Sequence, residues 1–294
     1  MSFLNYLISG LSLGSIYAII ALGYTMVYGI AKMLNFAHGD FIMVGCYIIF
    51  CISSRFSNNP LIGIVIAIVF CTILGVTTEL VAYRPLRGAA SPLAVLITAI
   101  GVSYFLENLA LIIFGADTKS FTSVVSWEGL SLAGGKLKIQ GVTLVTIIVG
   151  LLILIALETF IGKTKQGQAM LAVAEDKGAA ALMGINVNRT IALTFAIGSS
   201  LAAVAGALLC SAYPALSPYT GAMPGIKAFV AAVLGGIGSI RGAVIGGLLL
   251  GIVEILSKTY ISSQLSEAIV FGILIVVLLV RPTGILGKKI QEKV

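Results

Sequence analysis

The sequence predicts an all-α fold, a polytopic bundle of membrane helices that forms one transmembrane domain over residues 1–294. Hydrophobic residues make up 59% of the 294 positions, and charged residues make up only 10%. The mean hydropathy is +1.12. A soluble chain of this length needs far more charge to cover its surface. Several apolar runs also reach the roughly 20 residues that are required to cross a bilayer.

Seven apolar runs are predicted as spans, and an eighth apolar region is interrupted. The runs lie near residues 6–30, 36–54, 60–82, 92–114, 141–161, 190–213 and 264–281. Between the last two lies "GIKAFVAAVLGGIGSIRGAVIGGLLLGIVEIL", which is broken in the middle by "GGIGSIRG". Two half-helices that meet at a turn suit this pattern better than one straight helix. We therefore predict about 7–9 crossings, including a broken-helix hairpin near residues 226–257.

The distribution of basic residues predicts the orientation of the chain. If the N-terminus is outside, eleven basic residues fall on the inner side: Lys32, Arg84, Arg87, Lys163, Lys165, Lys177, Arg189, Arg281, Lys288, Lys289 and Lys293. Six fall on the outer side: Arg55, Lys119, Lys136, Lys138, Lys227 and Lys258. Arg241 lies at the turn of the hairpin. Because cytoplasmic loops carry the excess of Lys and Arg, the C-terminus is predicted in the cytoplasm.

The largest predicted cytoplasmic segment, residues 163–189, contains a short amphipathic helix. Its sequence, "KTKQGQAMLAVAEDKGAAALMGINVNR", is rich in helix formers but is not apolar enough to span. A helix here has an apolar face and a charged edge. The apolar face consists of Met170, Val173 and Ala174, and the charged edge consists of Glu175, Asp176 and Lys177. Gly184 can end the helix in the left-handed conformation. We expect the helix at 171–184 to dock onto a partner; a solvated connector is the alternative.

Motifs for a nucleotide or a metal are incomplete. "GKT" at 162–164 ends like a phosphate-binding loop, but Leu157 stands where that motif needs glycine, and a membrane helix precedes it. His38 is the only histidine, so we expect no metal site around it. Any ATP hydrolysis must therefore take place on a partner subunit. We expect neither a cofactor nor a catalytic site in this chain.

Five segments carry a family resemblance: "YTMVYGIAKMLNFAHGDFIMVGCY", "RPLRGAASPLAVLITAIGVSYFLEN", "AEDKGAAALMGINVNRTIALTFAIGSSLAAVAGALL", "GIKAFVAAVLGGIGSIRGAVIGGLLLGI" and "LLVRPTGILG". In this order, from about Leu13 to the C-terminal tail, they closely resemble the LivH-type permease of bacterial ABC importers for branched-chain amino acids. The resemblance implies a subunit of the inner membrane that provides half of the path for leucine, isoleucine or valine. It also implies four kinds of partner: a LivM-type permease, two cytoplasmic ATPases that hold ATP and Mg, a periplasmic binding protein and membrane lipid. No nucleic acid is expected as a partner.

The same resemblance implies which residues contact the ATPases. Importers of this class carry an E-A-A-x-x-x-G loop, and "GAAALMG" matches both alanines and the last glycine but begins with Gly178 instead of glutamate. Two carboxylates lie one turn earlier and are expected to supply the missing charge. The predicted coupling residues are Glu175, Asp176, Ala179, Ala180 and Gly184.

Three polar residues lie in "LNFAHGDF", residues 34–41, between the first two predicted spans. We expect Asn35, His38 and Asp40 to form a polar cluster that satisfies backbone groups at a broken-helix corner, where Gly39 weakens the helix. Direct contact with the ammonium or carboxylate of the substrate is the alternative. A proton relay would need a longer chain of titrating groups.

Glu79, Glu107 and Glu254 are predicted to lie within the membrane. A carboxylate in hydrocarbon costs roughly 2.5–3.5 kcal/mol on insertion scales, so each is expected to face protein or water. We expect Glu79 to pair with Arg84. Glu254 has Lys258 four residues later as an ion-pair partner. Glu107 is expected either to line the path or to bond the backbone of a broken helix.

The turn "LGGIGSIRG" is predicted to line the translocation path through Gly235, Gly236 and Gly238. We expect backbone N–H groups of a half-helix there to face the substrate carboxylate. A bulky residue at Gly235 or Gly236 is then expected to slow uptake without preventing assembly. The glycines around the turn also form small-xxx-small faces, which permit either sliding or tight packing of helices: Gly238, Gly242, Gly246, Gly247 and Gly251.

Two further functions are compatible with the sequence. One is a self-sufficient, ion-coupled secondary transporter or channel that uses His38, Asp40 and Glu107 for coupling. The other stays within the ABC class and is a permease for urea or short amides. The 163–189 segment favours the ABC class, because a carrier without ATPases has little use for a docking helix.

Overall fold

The computed structural model describes residues 2–55, 59–87, 92–132 and 137–287. In these ranges the helices are α1 (Ser2–Ala31), α2 (His38–Arg55), α3 (Pro60–Thr78), α4 (Pro92–Phe114), α5 (Gly141–Lys163), α6 (Lys165–Glu175), α7 (Lys177–Leu182), α8 (Val187–Ala212), α9 (Ala222–Gly235), α10 (Ile240–Tyr260) and α11 (Ser266–Val280). The predicted helical membrane bundle is thus confirmed. Four short strands, which the sequence analysis missed, pair antiparallel: β1 (Lys119–Ser120) with β4 (Ala215–Leu216), and β2 (Leu130–Leu132) with β3 (Leu137–Ile139).

Among the described residues, six helices are long and apolar enough to cross a membrane: α1, α3 with its extension to Leu86, α4, α5, α8 and α10. The predicted runs at 36–54 and 264–281 form helices α2 and α11, but neither belongs to this set. Helix α2 is long enough with 18 residues, but His38, Asp40 and Arg55 lower its hydropathy. Helices α9 and α11 have only 14 and 15 residues. The broken-helix hairpin predicted near residues 226–257 is confirmed as α9 and α10.

The two ends of the bundle differ in what they carry. We call the end with α6 and α7 the α7 end, and the end with the four strands the strand end. Helix α1 reaches the α7 end at its C-terminus, where Lys177 Nζ donates a hydrogen bond to the Ala31 carbonyl at 3.0 Å. Four residues of the orientation count lie outside the described residues: Lys136, Lys288, Lys289 and Lys293.

Helix α1 forms the centre of the bundle, because 72% of its apolar 18-residue stretch is buried. Its glycines allow the backbone of α10 to approach closely. A Cβ atom on Gly14 would lie only 2.8 Å from the Cα atom of Leu248. On α10, Gly247 and Gly251 face α1, and Gly242 and Gly246 face α9. In this structure the predicted small-residue faces are therefore used for tight packing.

Helix α2 begins inside the bundle rather than at its surface. A Cβ atom on Gly23 of α1 would lie 2.4 Å from His38 Nε2, so α2 starts beside Gly23. Gly23 is eight residues before the end of α1, which corresponds to about 12 Å at 1.5 Å per residue. The start of α9 lies at the same depth, because a Cβ atom on Gly225 would lie 2.9 Å from the Cα atom of Gly39. Two half-helices thus begin beside each other inside the bundle.

Candidate functional site

The corner between α1 and α2 is held by buried polar contacts. Asn35 is 3% exposed, and its Oδ1 atom accepts a hydrogen bond of 2.8 Å from the Tyr83 hydroxyl group. The carbonyl of Asn35 accepts a further bond of 3.2 Å from the backbone N–H of His38. Tyr83 ends a π-helical turn, Glu79–Tyr83, that continues α3. The corner is therefore fastened to the α7 end of α3.

His38 fills a slot that the missing side chain of Gly23 leaves open. It is 1% exposed, and its ring packs edge-on against Tyr24, with ring centroids 4.7 Å apart. The imidazole also lies against the backbone of Ile20, while Nε2 has no hydrogen-bond partner among the described residues. Within the same residues, no group of three His, Cys, Asp or Glu side chains converges. His38 is thus a packed aromatic side chain with one unsatisfied nitrogen.

Asp40 contacts α4. It is 2% exposed and has Ser103 of α4 as a hydrogen-bonding neighbour, and Glu107 on the same helix acts on it electrostatically. Its Oδ2 atom has no hydrogen-bond partner among the described residues. The structure therefore brings Asp40 and Glu107 to the α2–α4 contact. Asn35, His38 and Asp40 each have a different direct side-chain partner, and the expected polar cluster at this corner stays a prediction.

The glutamate at the α7 end of α3 is paired as predicted. Glu79 is fully buried, and its Oε2 atom accepts a hydrogen bond of 3.1 Å from Arg84. Arg87 contacts the other oxygen of Glu79 and donates a bond of 2.7 Å to Asn188 near the start of α8. Both arginines thus pair with Glu79, and Arg87 joins this end of α3 to α8.

The predicted docking helix at 171–184 is two helices, which is a correction. The chain breaks at Asp176, whose backbone is extended with φ −154° and ψ 113°. Its Oδ1 atom accepts hydrogen bonds from the backbone N–H groups of Gly178 and Ala179, at 2.7 and 2.9 Å. Asp176 is therefore the N-cap of α7, and this oxygen is committed to the helix start. Gly184 follows α7 with φ +84°, as predicted for a helix end.

Burial divides the predicted coupling residues into two groups. Met170 and Val173 are buried at 0% and 1% exposure, which confirms the predicted apolar face of α6. Ala180 is also buried, at 3%, so it packs within the chain and does not belong to an open docking surface. The exposed members are Glu175, Asp176, Ala179 and Gly184.

The sequence analysis missed the most exposed apolar residues of this segment. Leu182 is 91% exposed and Met183 is 82% exposed, at the tip of α7 outside the bundle. The available signal was the apolar pair in "ALMG" within a segment that is too polar to span. Large apolar side chains in water are typical of a surface that a partner covers.

Lys177 joins α7 to the centre of the bundle. Its Nζ atom donates to the Ala31 carbonyl at the C-terminus of α1, a favourable position for a cation. Partial burial lowers the pKa of Lys177, and the nearby charges of Arg87 and Lys32 lower it further. Helix α7 is therefore linked directly to α1.

The glycine turn lies at the α7 end, not in the middle of the bundle. A Cβ atom on Gly29, near the end of α1, would lie 3.2 Å from the Cα atom of Gly238. The C-terminal tail packs against the turn, because Ile285 and Leu286 donate backbone hydrogen bonds of 2.9 Å to the carbonyls of Leu234 and Gly235. The last carbonyls of α9 are thus satisfied by the tail.

This packing leaves no room for the bulky residues that were expected to be tolerated at the turn glycines. A Cβ atom on Gly235 would lie 1.9 Å from the Gly242 carbonyl oxygen, and one on Gly236 would lie 2.4 Å from the Gly287 nitrogen. Bulky residues at these positions displace backbone, so they disturb folding before they affect uptake. Gly236 and Gly238 also have φ values of +104° and +93°, which favour glycine.

A second buried charge cluster lies between α1, α9 and α10. Glu254 is 1% exposed; its Oε1 atom accepts hydrogen bonds from Lys258 at 2.6 Å and from Lys227 at 2.9 Å, and its Oε2 atom accepts one from Tyr17 at 2.8 Å. The predicted pair of Glu254 and Lys258 is confirmed. Lys227, which was counted on the outer side, is 5% exposed and lies within α9.

A helical bundle with half-helices that begin inside it and with buried charges between its helices is typical of membrane transport proteins. Residues 6–279 match the family described as branched-chain amino acid transport system / permease component, and the chain belongs to this family. With its six candidate spans, it is a multi-pass membrane protein.

Curated relatives cover nearly the whole chain. The high-affinity branched-chain amino acid transport system permease protein LivH of Escherichia coli K12 is 46% identical over 99% of this chain and 98% of its own length. LivH of Salmonella typhimurium is 45% identical, and BraD of Pseudomonas aeruginosa is 43% identical, with the same coverage. Among solved structures, PsaBC from Streptococcus pneumoniae in complex with Fab covers 94% of this chain, with 17% identity and a TM-score of 0.45.

Proposed function

We propose that the chain is the permease subunit of an ATP-binding-cassette importer and provides half of the translocation path for leucine, isoleucine or valine. Family membership over residues 6–279 and the LivH and BraD relatives support this proposal. The chain itself carries no catalytic site in this proposal. ATP and Mg are held by two cytoplasmic ATPases, a LivM-type permease provides the other half of the path, and a periplasmic binding protein delivers the substrate.

In the proposed orientation the α7 end faces the cytoplasm and the strand end faces the periplasm of a bacterial inner membrane. The concentration of basic residues near α6, α7 and the ends of α1 and α3 supports this orientation, because cytoplasmic loops retain positive charge. The N-terminus is then outside, and the C-terminus is cytoplasmic.

The observation that carries the proposal is the exposed apolar tip of α7. Leu182 and Met183 lie in the aqueous segment and are 91% and 82% exposed. Burial of one such side chain is worth about 1.5–3 kcal/mol, so an uncovered pair is unfavourable in a subunit that works alone. We propose that an ATPase covers both side chains, with Glu175 and Ala179 at the rim of the contact.

Within the membrane, we propose that the substrate passes the contact between α2 and α4. Asp40 is buried there with one unpaired carboxylate oxygen, and Glu107 lies on the facing helix. An ammonium group of a passing amino acid supplies the missing hydrogen bonds. Asn35 and His38 shape the corner that positions Asp40 and do not contact the substrate themselves.

The docking proposal is tested with the double variant Leu182→Ala, Met183→Ala in the complete importer. Loss of two buried side chains is expected to weaken ATPase association by at least tenfold. The measurement is co-purification of the ATPases, together with leucine uptake into proteoliposomes that contain ATP inside and have loaded binding protein outside. Leu171→Ala is the matched control, because Leu171 is also exposed, at 44%, but lies on α6.

Two results would contradict the proposal. Normal ATPase association of the double variant would show that α7 does not dock through its apolar tip. Leucine uptake by this chain alone, driven by a proton gradient without ATPases, would favour a secondary transporter instead.

A further inference from the structure

A cavity of about 300 Å³ opens between α1, α8, α9 and α10 on the strand side of the buried Glu254 cluster. Its polar floor consists of Lys227, Glu254 and Lys258, and its apolar wall consists of Leu13, Leu209 and Met223. Glu254 lies six residues before the end of α10 at Tyr260, and Tyr17 of α1 reaches it through its hydroxyl group. The cavity therefore connects the buried cluster with the strand end.

Burial of the charged groups around Glu254 costs free energy, which a purely structural role does not explain. Buried ion pairs are often no more stabilising than apolar residues of similar volume. In a membrane, ionisable groups buried between helices are functional by default, because they are expensive to place there. The cavity beside them has a volume at the lower end of the range for small-molecule sites.

The two lysines of the floor are not equivalent. Lys227 is shared between two carboxylates, because its Nζ atom lies 2.9 Å from Glu254 and 3.3 Å from Glu267. The side chain of Lys258 is 39% exposed, and its hydrogen bond to Glu254 uses one of its three N–H groups. Lys258 therefore has donors available on the open side of the cavity.

We propose that this cavity binds the amino acid after it enters from the periplasmic side. The Lys258 ammonium group holds the carboxylate, and the aliphatic side chain lies against Leu209 and Met223. The ligand class is a small carboxylate with an apolar tail, which describes branched-chain amino acids. This inference rests on the proposed function, because the strand end faces the binding protein only in that orientation.

The test measures how ligand protects a cysteine in the cavity. Met223→Cys is introduced into the complete importer in a Cys51→Ser background, since the other native cysteines are buried. The complex is placed in nanodiscs of zwitterionic lipid and labelled with a membrane-impermeant thiol reagent. At leucine tenfold above the half-protecting concentration, labelling is expected to slow about tenfold, since only the free site reacts.

Three comparisons assign the protection to the carboxylate. Leucinamide, which lacks the carboxylate, is expected not to protect. Adding Lys258→Met is expected to abolish protection. The buried cluster is expected to persist in this variant, because Glu254 keeps Lys227 and Tyr17 as partners. Tyr219→Cys, on the same side of the bundle but outside the cavity lining, is expected to label equally with and without leucine.

Several outcomes would overturn the inference. These are absence of protection, equal protection by leucinamide, or retained protection after Lys258→Met. Protection without leucine that occurs only in nanodiscs with anionic lipid would assign the cavity to a lipid headgroup. ATP-driven leucine uptake by the same complex is measured in parallel; if uptake is present and protection is absent, the cavity assignment fails while the proposed function stands.

Discussion

The Asp176 side chain stabilises the start of α7 as its N-cap. Its Oδ1 atom holds the N–H groups of Gly178 and Ala179, and α7 is only six residues long. Replacement of an N-cap by alanine costs about 0.5–2 kcal/mol, which is large for so short a helix. We expect Asp176→Ala to weaken ATPase association several-fold, measured by co-purification. Asp176→Asn keeps a capping oxygen and removes the charge, so it is expected to retain most of the association. Equal losses in both variants would show that the charge contacts the ATPase.

At the scale of the element, Lys177 transmits the position of α7 to α1. Its hydrogen bond to the Ala31 carbonyl links the two helices, and a bond to a charged group contributes about 1.5–3 kcal/mol. We expect Lys177→Met to leave ATPase association intact but to reduce leucine uptake and the hydrolysis that loaded binding protein stimulates. Lys165→Met, an exposed lysine on α6, is the control. Loss of association in Lys177→Met would instead make Lys177 part of the docking surface.

Elements that depend on local pattern were predictable, and those that depend on distant contacts were not. Apolar runs located the long helices and the hairpin, because membrane helices satisfy their own backbone. The break at Asp176 was missed because the same carboxylate fits a charged helix edge and an N-cap equally well. The tail that bonds Leu234 and Gly235 comes from residues 285 and 286, about 50 positions away, and local sequence contains no information on that pairing. For the same reason, the burial of Lys227 beside Glu254 was not foreseen.

At the scale of the whole molecule, the contact between α1 and α10 organises the other helices. Helix α1 packs against α8, α9 and α10, so its position sets the relative positions of both half-helices and both charge clusters. A Cβ atom on Gly251 of α10 would lie 2.2 Å from the backbone nitrogen of Gly14 and 2.3 Å from its Cα atom. Because these are backbone atoms, a larger residue cannot be accommodated by rotating a side chain.

We therefore expect Gly251→Ala to destabilise the complex by about 1–3 kcal/mol, the usual cost of overpacking. Gly101→Ala on α4 is the matched control, because a Cβ atom there meets nothing within 4 Å. This control is expected to be neutral or slightly stabilising, since alanine favours a helix by about 0.5–1 kcal/mol over glycine. The measurement is the thermal unfolding midpoint of the purified importer. Equal midpoints for the two variants would show that α1 and α10 separate easily and that their glycine faces permit sliding. A lower midpoint for Gly251→Ala alone would show that the two helices move as one body.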